Sequence, residues 1–510
     1  MNWASYPAFT DRVLSMIGIE VHWIILQYIL GLPLLAVIAE LVWIKTRDER
    51  WLKLSKTIAK GFIMVFAVGA AMGTAAEFGL VLLWPNLTEA AGKYIYFPLY
   101  AEIFAFMMEV VFIYMYYYAW HKLPEKVHVA VGALALIGAW FSATMIVSVN
   151  CYMQAPAGLL VGPYSQGYPK ITLFIPAAIV AALNVTALKS AGMDILGKAG
   201  NSVIVAMPSK IVKAVVADAF SGKTISQSVL WGVVKPAARA KLANVPVMKV
   251  LDAIMFDTVR HVGVYTVTFK SPVFVPSVLH AIGSGIVVSA FTAMAFFGYS
   301  AYRRGGENAK LGFRYSLAFA LVSIIYQGFV SGHEMGVAVA EWNREKFAAI
   351  LYGSPPFLEK IEYTLAGVSN YISYNQIPDW LRPPTIIHWF YYTKIALAVL
   401  LGLSALVLAY LVFIRKKEPY SPYLLVLPVI AQVVSFLGWA VREVGRKPWT
   451  IYGIMDVKTA HTINPPPAWV DFVVETYFIG LLLLLCYAVY RFLWKNGENG
   501  ESEASKEVRA

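Results

Sequence analysis

Apolar residues run through this chain in blocks of hydrocarbon length, broken by short polar connections. Nine blocks reach about 20 residues, the length a helix needs to cross a bilayer. They fall at 21–44, 60–84, 97–119, 127–150, 272–301, 312–331, 386–414, 421–441 and 472–494. The polar positions between them are not evenly charged. The 45–59 connection holds Lys45, Arg47, Arg50, Lys53 and Lys56, whereas 85–96 holds only Lys93. Arg303, Arg304 and Lys310 mark the fifth connection, and Arg415, Lys416 and Lys417 the seventh. Lysine and arginine collect on the inner side of a membrane. The pattern therefore predicts an all-α, polytopic membrane helix bundle of about nine transmembrane helices, with the N-terminus outside and the C-terminus inside.

Two connections are long. The 151–271 stretch carries 12 Lys and Arg against four Asp, and by parity it lies outside. Within it, Ile171–Leu188 is apolar enough to enter a membrane, but Pro176 and Asn184 interrupt the run. Val203–Phe220 is the only candidate for a return crossing, so a folded or interfacial basic insertion is expected. The other long connection is 332–385. The expected organisation is helices 1–4 in 1–150, the insertion in 151–271, helices 5–6 in 272–331, the connection in 332–385, helices 7–9 in 386–494 and a charged tail, disordered by composition, in 495–510.

Composition agrees: 59% of the 510 residues are hydrophobic and 14% charged, as in a polytopic membrane protein. The formal charge of +12 is explained by inward loops and does not call for a nucleic acid. Cys151 and Cys486 are too isolated for a disulfide framework or a metal pair, and no CxxCH is present, which excludes covalent c-type haem. Asp11, Arg12 and Glu20 precede an apolar run too long for a cleavable leader.

Ionisable residues inside the apolar blocks are costly and therefore informative. In GWAVREVGRKPW (438–449), Trp439, Glu443 and Arg446 stand at i, i+4 and i+7 on one helical face, and Gly445 and Pro448 end the helix. On residues alone this reads either as an interfacial anchor or as a cofactor face. His22 and His280 are each either a hydrogen-bonding group or a haem ligand. Gly283 and Gly285 after His280 admit a flat macrocycle or a second helix. Gly69, Gly73 and Glu77 share a face that permits tight helix contact and leaves Glu77 in need of a cation or a proton. Glu102 and Glu109, two turns apart, suggest a proton path or a haem-facing site.

These stretches, GWAVREVGRKPW, the first block around His22, VLHAIGSG, FAVGAAMGTAAEF and PLYAEIFAFMMEVVF, resemble subunit I of cytochrome bd-type quinol oxidases. The resemblance implies that His22 ligates a high-spin haem and His280 the low-spin haem b. It implies that Glu443 serves the high-spin pair, with Trp439 and Glu77 beside the haems, and that Arg446 neutralises propionates or oxygen intermediates. Glu102 and Glu109 match a family pair spaced by eight rather than seven, Glu109 being the closer match, and Ser142 and Asn150 line the same interior. Implied cofactors are low- and high-spin haem b plus haem d or a further haem b. Implied substrates are quinol and oxygen. Implied partners are a second membrane subunit, subunit II-like or paralogous, and a small accessory subunit, in the prokaryotic cell membrane.

The quinol half departs from the family. GHEMG, with Glu334, resembles the start of the quinol loop, and Lys346 matches a quinol-site lysine, but Leu351 replaces a glutamate. Lys394 stands for an arginine, and Ala396 for the methionine that completes the low-spin haem, leaving five-coordination, another ligand such as His388, or loss of that haem. Lys447 replaces a glutamine. Three readings follow: a terminal oxidase subunit I, a divergent haem-holding scaffold beside a complete subunit, or a proton-coupled transporter without iron.

Overall fold

The protein is described by a computed structural model covering residues 7–160, 169–368 and 372–460, with scattered positions between 469 and 487. Four long helices open the chain: α1 (Pro7–Thr46), α2 (Glu49–Leu83), α3 (Pro85–Tyr118) and α4 (Glu125–Gln154). Helix is forced here because hydrocarbon offers no partner for an unpaired peptide group.

The insertion follows as β1 (Lys170–Pro176), α5 (Ala177–Ala181), α6 (Val185–Ser190), β2 (Asp194–Ala199), β3 (Ser202–Pro208), α7 (Ser209–Phe220), α8 (Pro236–Leu242), α9 (Val247–Val262) and α10 (Val264–Phe269). The strands form an antiparallel sheet in the order β1-β3-β2. The apolar run 171–188 is therefore not a span. It divides at Pro176 into a strand and two short helices, and Val203–Phe220 becomes β3 and α7. A β-rich piece thus joins a largely helical protein, because Ile171, Thr172, Ile175, Val203 and Val205 favour pleated backbone. The core of this piece, with Ile171, Val205, Val216 and Leu251, continues into Trp84 just ahead of α3, Tyr152 of α4, and Ile451 and Met455.

Beyond the insertion come α11 (Phe274–Arg304), α12 (Glu307–Tyr326), a π-helical turn at Gln327–Ser331, α13 (Gly332–Trp342), α14 (Arg344–Leu351) and α15 (Pro356–Leu365). The chain closes with α16 (Ile386–Ala409), α17 (Val426–Val444) and the small hairpin β4 (Trp449–Ile451) and β5 (Met455–Asp456). GHEMG lies on helix, not in a loop: the sixth apolar rod runs on to Trp342 and stops only at Asn343, where the backbone leaves helical geometry.

Among the described residues eight helices are long and apolar enough to cross a membrane: Val21–Thr46, Glu49–Thr74, Pro85–Tyr118, Glu125–Gln154, Phe274–Arg304, Glu307–Trp342, Ile386–Ile414 and Pro422–Val444. Each overlaps one of the first eight expected blocks, with the second and third starting earlier than expected, at Glu49 and Pro85, and the sixth extending further at both ends. The ninth, 472–494, falls where only scattered positions are described, and the tail 495–510 lies outside the described residues. Glycine lets α1 and α11 approach closely. A Cβ on Gly31 would stand 2.5 Å from the Ser289 Cβ, and one on Gly285 2.6 Å from the Leu30 Cβ.

Candidate functional site

The end of α17 carries the chemistry because three other elements converge on it. Arg446 Nη2 donates to Glu443 Oε2 at 2.6 Å, one turn back on the chain. Asn150 Nδ2, from the end of α4, donates to Glu443 Oε1 at 2.8 Å. Arg442 Nε donates to Asn150 Oδ1 at 2.5 Å, and its Nη1 donates to Ser277 Oγ of α11 at 2.8 Å. Ser277 stands one turn before His280. Gln154 then ties in α14: it accepts from Lys346 Nζ at 2.9 Å and donates to the Arg442 carbonyl at 3.1 Å. Arg442, Asn150 and Gln154 hold the network together. Nothing in a local pattern picks out Arg442 or Gln154, because their partners lie far away in sequence.

His22 reaches the same end of the bundle from α1. Its neighbour Trp23 stacks on Trp439, with ring centroids 4.8 Å apart and planes 16° apart. Gly73 of α2 lies directly against the imidazole, since a Cβ there would stand 2.8 Å from His22 Cε1. His22 Nδ1 is buried without a hydrogen-bond partner, as are Trp439 Nε1, Trp449 Nε1, and Arg446 Nε and Nη1. Buried polar atoms are seldom left unpaired, so such a group calls for an explanation. One imidazole nitrogen and four N–H donors fit a haem, which offers an iron to the first and propionate oxygens to the others.

His280 is oriented by the π-helical turn. Its Nδ1 lies 3.3 Å from Ser331 Oγ and 3.2 Å from Gln327 Nε2, the two ends of that turn. Gly283 leaves room there for the Gln327 amide, which a Cβ at that position would push aside. Contacts at Nδ1 leave Nε2 as the nitrogen that could bind a metal, since a metal-binding imidazole is usually oriented through its other ring nitrogen. Lys394 Cδ packs 3.5 Å from the Cβ position of Gly438. Ala396 is exposed on another face of α16 and carries no donor atom. His388 is engaged elsewhere, its Nδ1 at 2.8 Å from the Ile350 carbonyl.

The acids form a second group across α2, α3 and α4. Glu77 is hydrogen-bonded to Glu102, so its partner is an acid rather than a cation. Ser142 Oγ donates to the other side of Glu102 at 2.9 Å. Glu109 is buried, with Oε1 unpartnered, and faces the bare backbone of Gly138.

On the quinol-loop side Lys346 is buried, and Leu351 is buried in an apolar cluster. Glu334 is exposed on α13 and stands outside the network. Burial, then Arg442 and Arg446, hold the Lys346 amine well below the usual lysine range, against the pull of Glu443. Glu345, which the motif reading passed over, accepts from Tyr452 Oη at 2.8 Å, and burial pushes its carboxyl up despite that bond. Glu345, Lys346, Arg446 and Tyr452 share a cavity of about 10 Å³, room for a single water. A carboxyl raised in the folded state favours folding at low pH, and that contribution fades as pH climbs past the unfolded value of about 4.3. Glu345→Gln keeps the acceptor for Tyr452, so its melting temperature should vary less with pH above that point. A profile superimposable on wild type would show that Glu345 ionises alike in both states.

The insertion roofs this end. Lys213 Nζ lies 3.0 Å from Asp456 Oδ2 and 5.8 Å from the Trp449 ring, and Gly453 touches Ile171.

Comparison with known proteins points one way. The family described as cytochrome bd terminal oxidase subunit I matches residues 11–353 and 359–498. A candidate cytochrome bd menaquinol oxidase subunit I of Bacillus subtilis (strain 168) is 25% identical over 482 residues, covering 91% of this chain and 88% of that protein. The cytochrome bd ubiquinol oxidase subunit 1 of the same strain is 22% identical, covering 93% and 89%. The solved bd oxidase from Geobacillus thermodenitrificans shares the fold, with TM-score 0.67, 21% identity, and 96% and 98% of the two chains covered.

Proposed function

Because the chain belongs to the cytochrome bd terminal oxidase subunit I family, we propose that it is the haem-carrying subunit of a quinol oxidase. It takes electrons from membrane quinol and reduces oxygen to water beside a second membrane subunit, in the prokaryotic cell membrane. Bound haem supplies the one-electron and oxygen chemistry. His22 is the imidazole ligand at the high-spin site and His280 at the low-spin haem b, with a haem d or a further haem b completing the set. Glu443 serves the high-spin pair, and Arg446 and Trp439 donate to propionate oxygens. Lys394 supplies positive charge near His280. Glu109, with the Glu77–Glu102 pair, holds protons drawn from the inner side, so that turnover separates charge without pumping. On the quinol side Lys346 and Glu345 handle the hydroxyl protons, with Glu345 taking the part that Leu351 cannot.

The observation that carries this reading is the set of buried nitrogens without hydrogen-bond partners at His22 Nδ1, Trp439 Nε1, Trp449 Nε1, and Arg446 Nε and Nη1. Its test is quinol-dependent oxygen uptake by the purified complex, recorded with a reduced-minus-oxidised spectrum. Uptake with both low-spin and high-spin signals is expected.

A second reading has specific support. Ala396 offers no ligand and Leu351 no carboxyl, as in a haem-holding scaffold beside a complete subunit I. That reading requires absent uptake together with a missing low-spin signal. A proton-coupled transporter, the third class, requires no iron at all.

A further inference from the structure

The membrane end opposite the candidate haem site buries a titratable cluster that no role above uses. Glu40 of α1 and His128 of α4 meet there, with Oε1 and Nδ1 2.7 Å apart and both side chains almost completely buried. His128 Nε2 lies 2.9 Å from the Tyr116 carbonyl, which can only accept, so Nε2 carries a hydrogen. A proton must then also lie between Nδ1 and the carboxylate, whichever of the two formally owns it. The second carboxylate oxygen, Oε2, is buried, and no hydrogen bond within 3.5 Å reaches it. It is a vacant acceptor for one more proton.

The surroundings lead from water inward. On the basic side Lys56 of α2 lies 2.7 Å from His121 Nε2 and 5.5 Å from the Trp120 ring. Trp120 covers His128, with centroids 4.0 Å apart. The Tyr116 ring of α3 is 4.8 Å from the imidazole; its hydroxyl is 3.2 Å from Ser55 Oγ of α2, is close enough to the Glu40 carboxylate to interact with it by hydrogen bonding, and is within electrostatic reach of Tyr315 on α12. Tyr116 and Glu109 are seven residues apart on one face of α3, a rise of roughly 10 Å. Gly132 of α4 packs on the Tyr116 ring and Gly138 on the Glu109 backbone, and Ile113 on the intervening turn of α3 is buried and apolar, so a short water file must cross this stretch.

We propose that the Glu40–His128 pair is a proton-loading site on the inner side of the bundle. A proton from inner water adds at Glu40 Oε2, taking the pair from net zero to +1, and leaves past the Tyr116 hydroxyl toward Glu109, restoring it. This rests on the oxidase reading for the direction of flow, but not for proton binding itself. Ionisable groups within a bilayer are expensive and usually functional, and imidazole is the side chain suited to proton exchange near neutrality. The plain alternative is a pin that fastens α1 to α4.

Glu40→Gln keeps a hydrogen-bonding group opposite Nδ1 and removes the ionisable carboxyl, and Tyr116→Phe removes only the hydroxyl. Two measurements on the whole complex decide between the readings. In pH-jump infrared difference spectra the wild type should show a carboxyl signal that Glu40→Gln lacks. In liposomes with quinol, proton uptake from the inner-face side should slow by roughly tenfold or more in both variants, with haem spectra unchanged. If Glu40→Gln does not assemble, Tyr116→Phe still reads the uptake step and the wild-type spectrum still reads proton binding. Wild-type uptake rates in the variants, or no carboxyl signal in the wild type, would overturn the proposal. A carboxyl signal in a complex that consumes no oxygen would contradict the oxidase reading and leave the site standing.

Discussion

Glu443→Gln should lower quinol-driven oxygen uptake by about a hundredfold or more and remove the absorbance of the oxygen-site haem, while the chain still inserts. Glu443 holds Asn150 on one oxygen and Arg446 on the other. Glutamine keeps the contact to Asn150 and loses the charge that faces Arg446, so the variant separates electrostatics from packing. Glu443→Ala should do the same and also destabilise the fold. It strands a guanidinium whose side chain is only 5% exposed, and breaking a buried pair in that way costs about 3–5 kcal/mol. Spectra unchanged in Glu443→Gln would remove this residue from the haem site.

Gly73→Val should abolish the haem held by His22, again with a loss of uptake of about a hundredfold or more. The Cβ it introduces would stand 2.8 Å from Cε1 and 3.4 Å from both ring nitrogens of His22, closer than a packed interior accommodates. The imidazole must rotate away, and an imidazole displaced by an ångström would no longer hold a haem iron. Gly61→Ala, on the same helix with nothing within 4 Å of the new methyl, is the control and should behave as wild type. Full haem content in Gly73→Val would show that His22 is not placed by α2.

What the sequence disclosed and what it withheld follow from the range of the forces involved. Hydropathy is local, so the first, fourth, fifth, seventh and eighth spans were legible to within a few residues, whereas the second and third helices start well ahead of the expected blocks, at Glu49 and Pro85, and the sixth continues through Gly332 and Gly336 because no proline stops it. The tight glycine face of α2 was legible as a contact, but not that His22 is what Gly73 meets. Glu77 was read as wanting a cation or a proton, and it faces Glu102; such a pairing depends on which helices become neighbours. Arg442 and Gln154 joined the network only in three dimensions, across separations of 292 and 288 residues. The sheet of the insertion was hidden because its strands are short and Ile171–Leu188 has the apolar content of a span without its continuity.

The account depends on buried imidazoles and cations that hold iron porphyrin. The most direct measurement is a pyridine haemochrome assay on the purified, membrane-inserted complex, expressed with haem in excess. Haem bound in more than one copy per chain, and lost in part in both Gly73→Val and Glu443→Gln, is the predicted result. A well-folded, inserted complex that carries no iron porphyrin would contradict it.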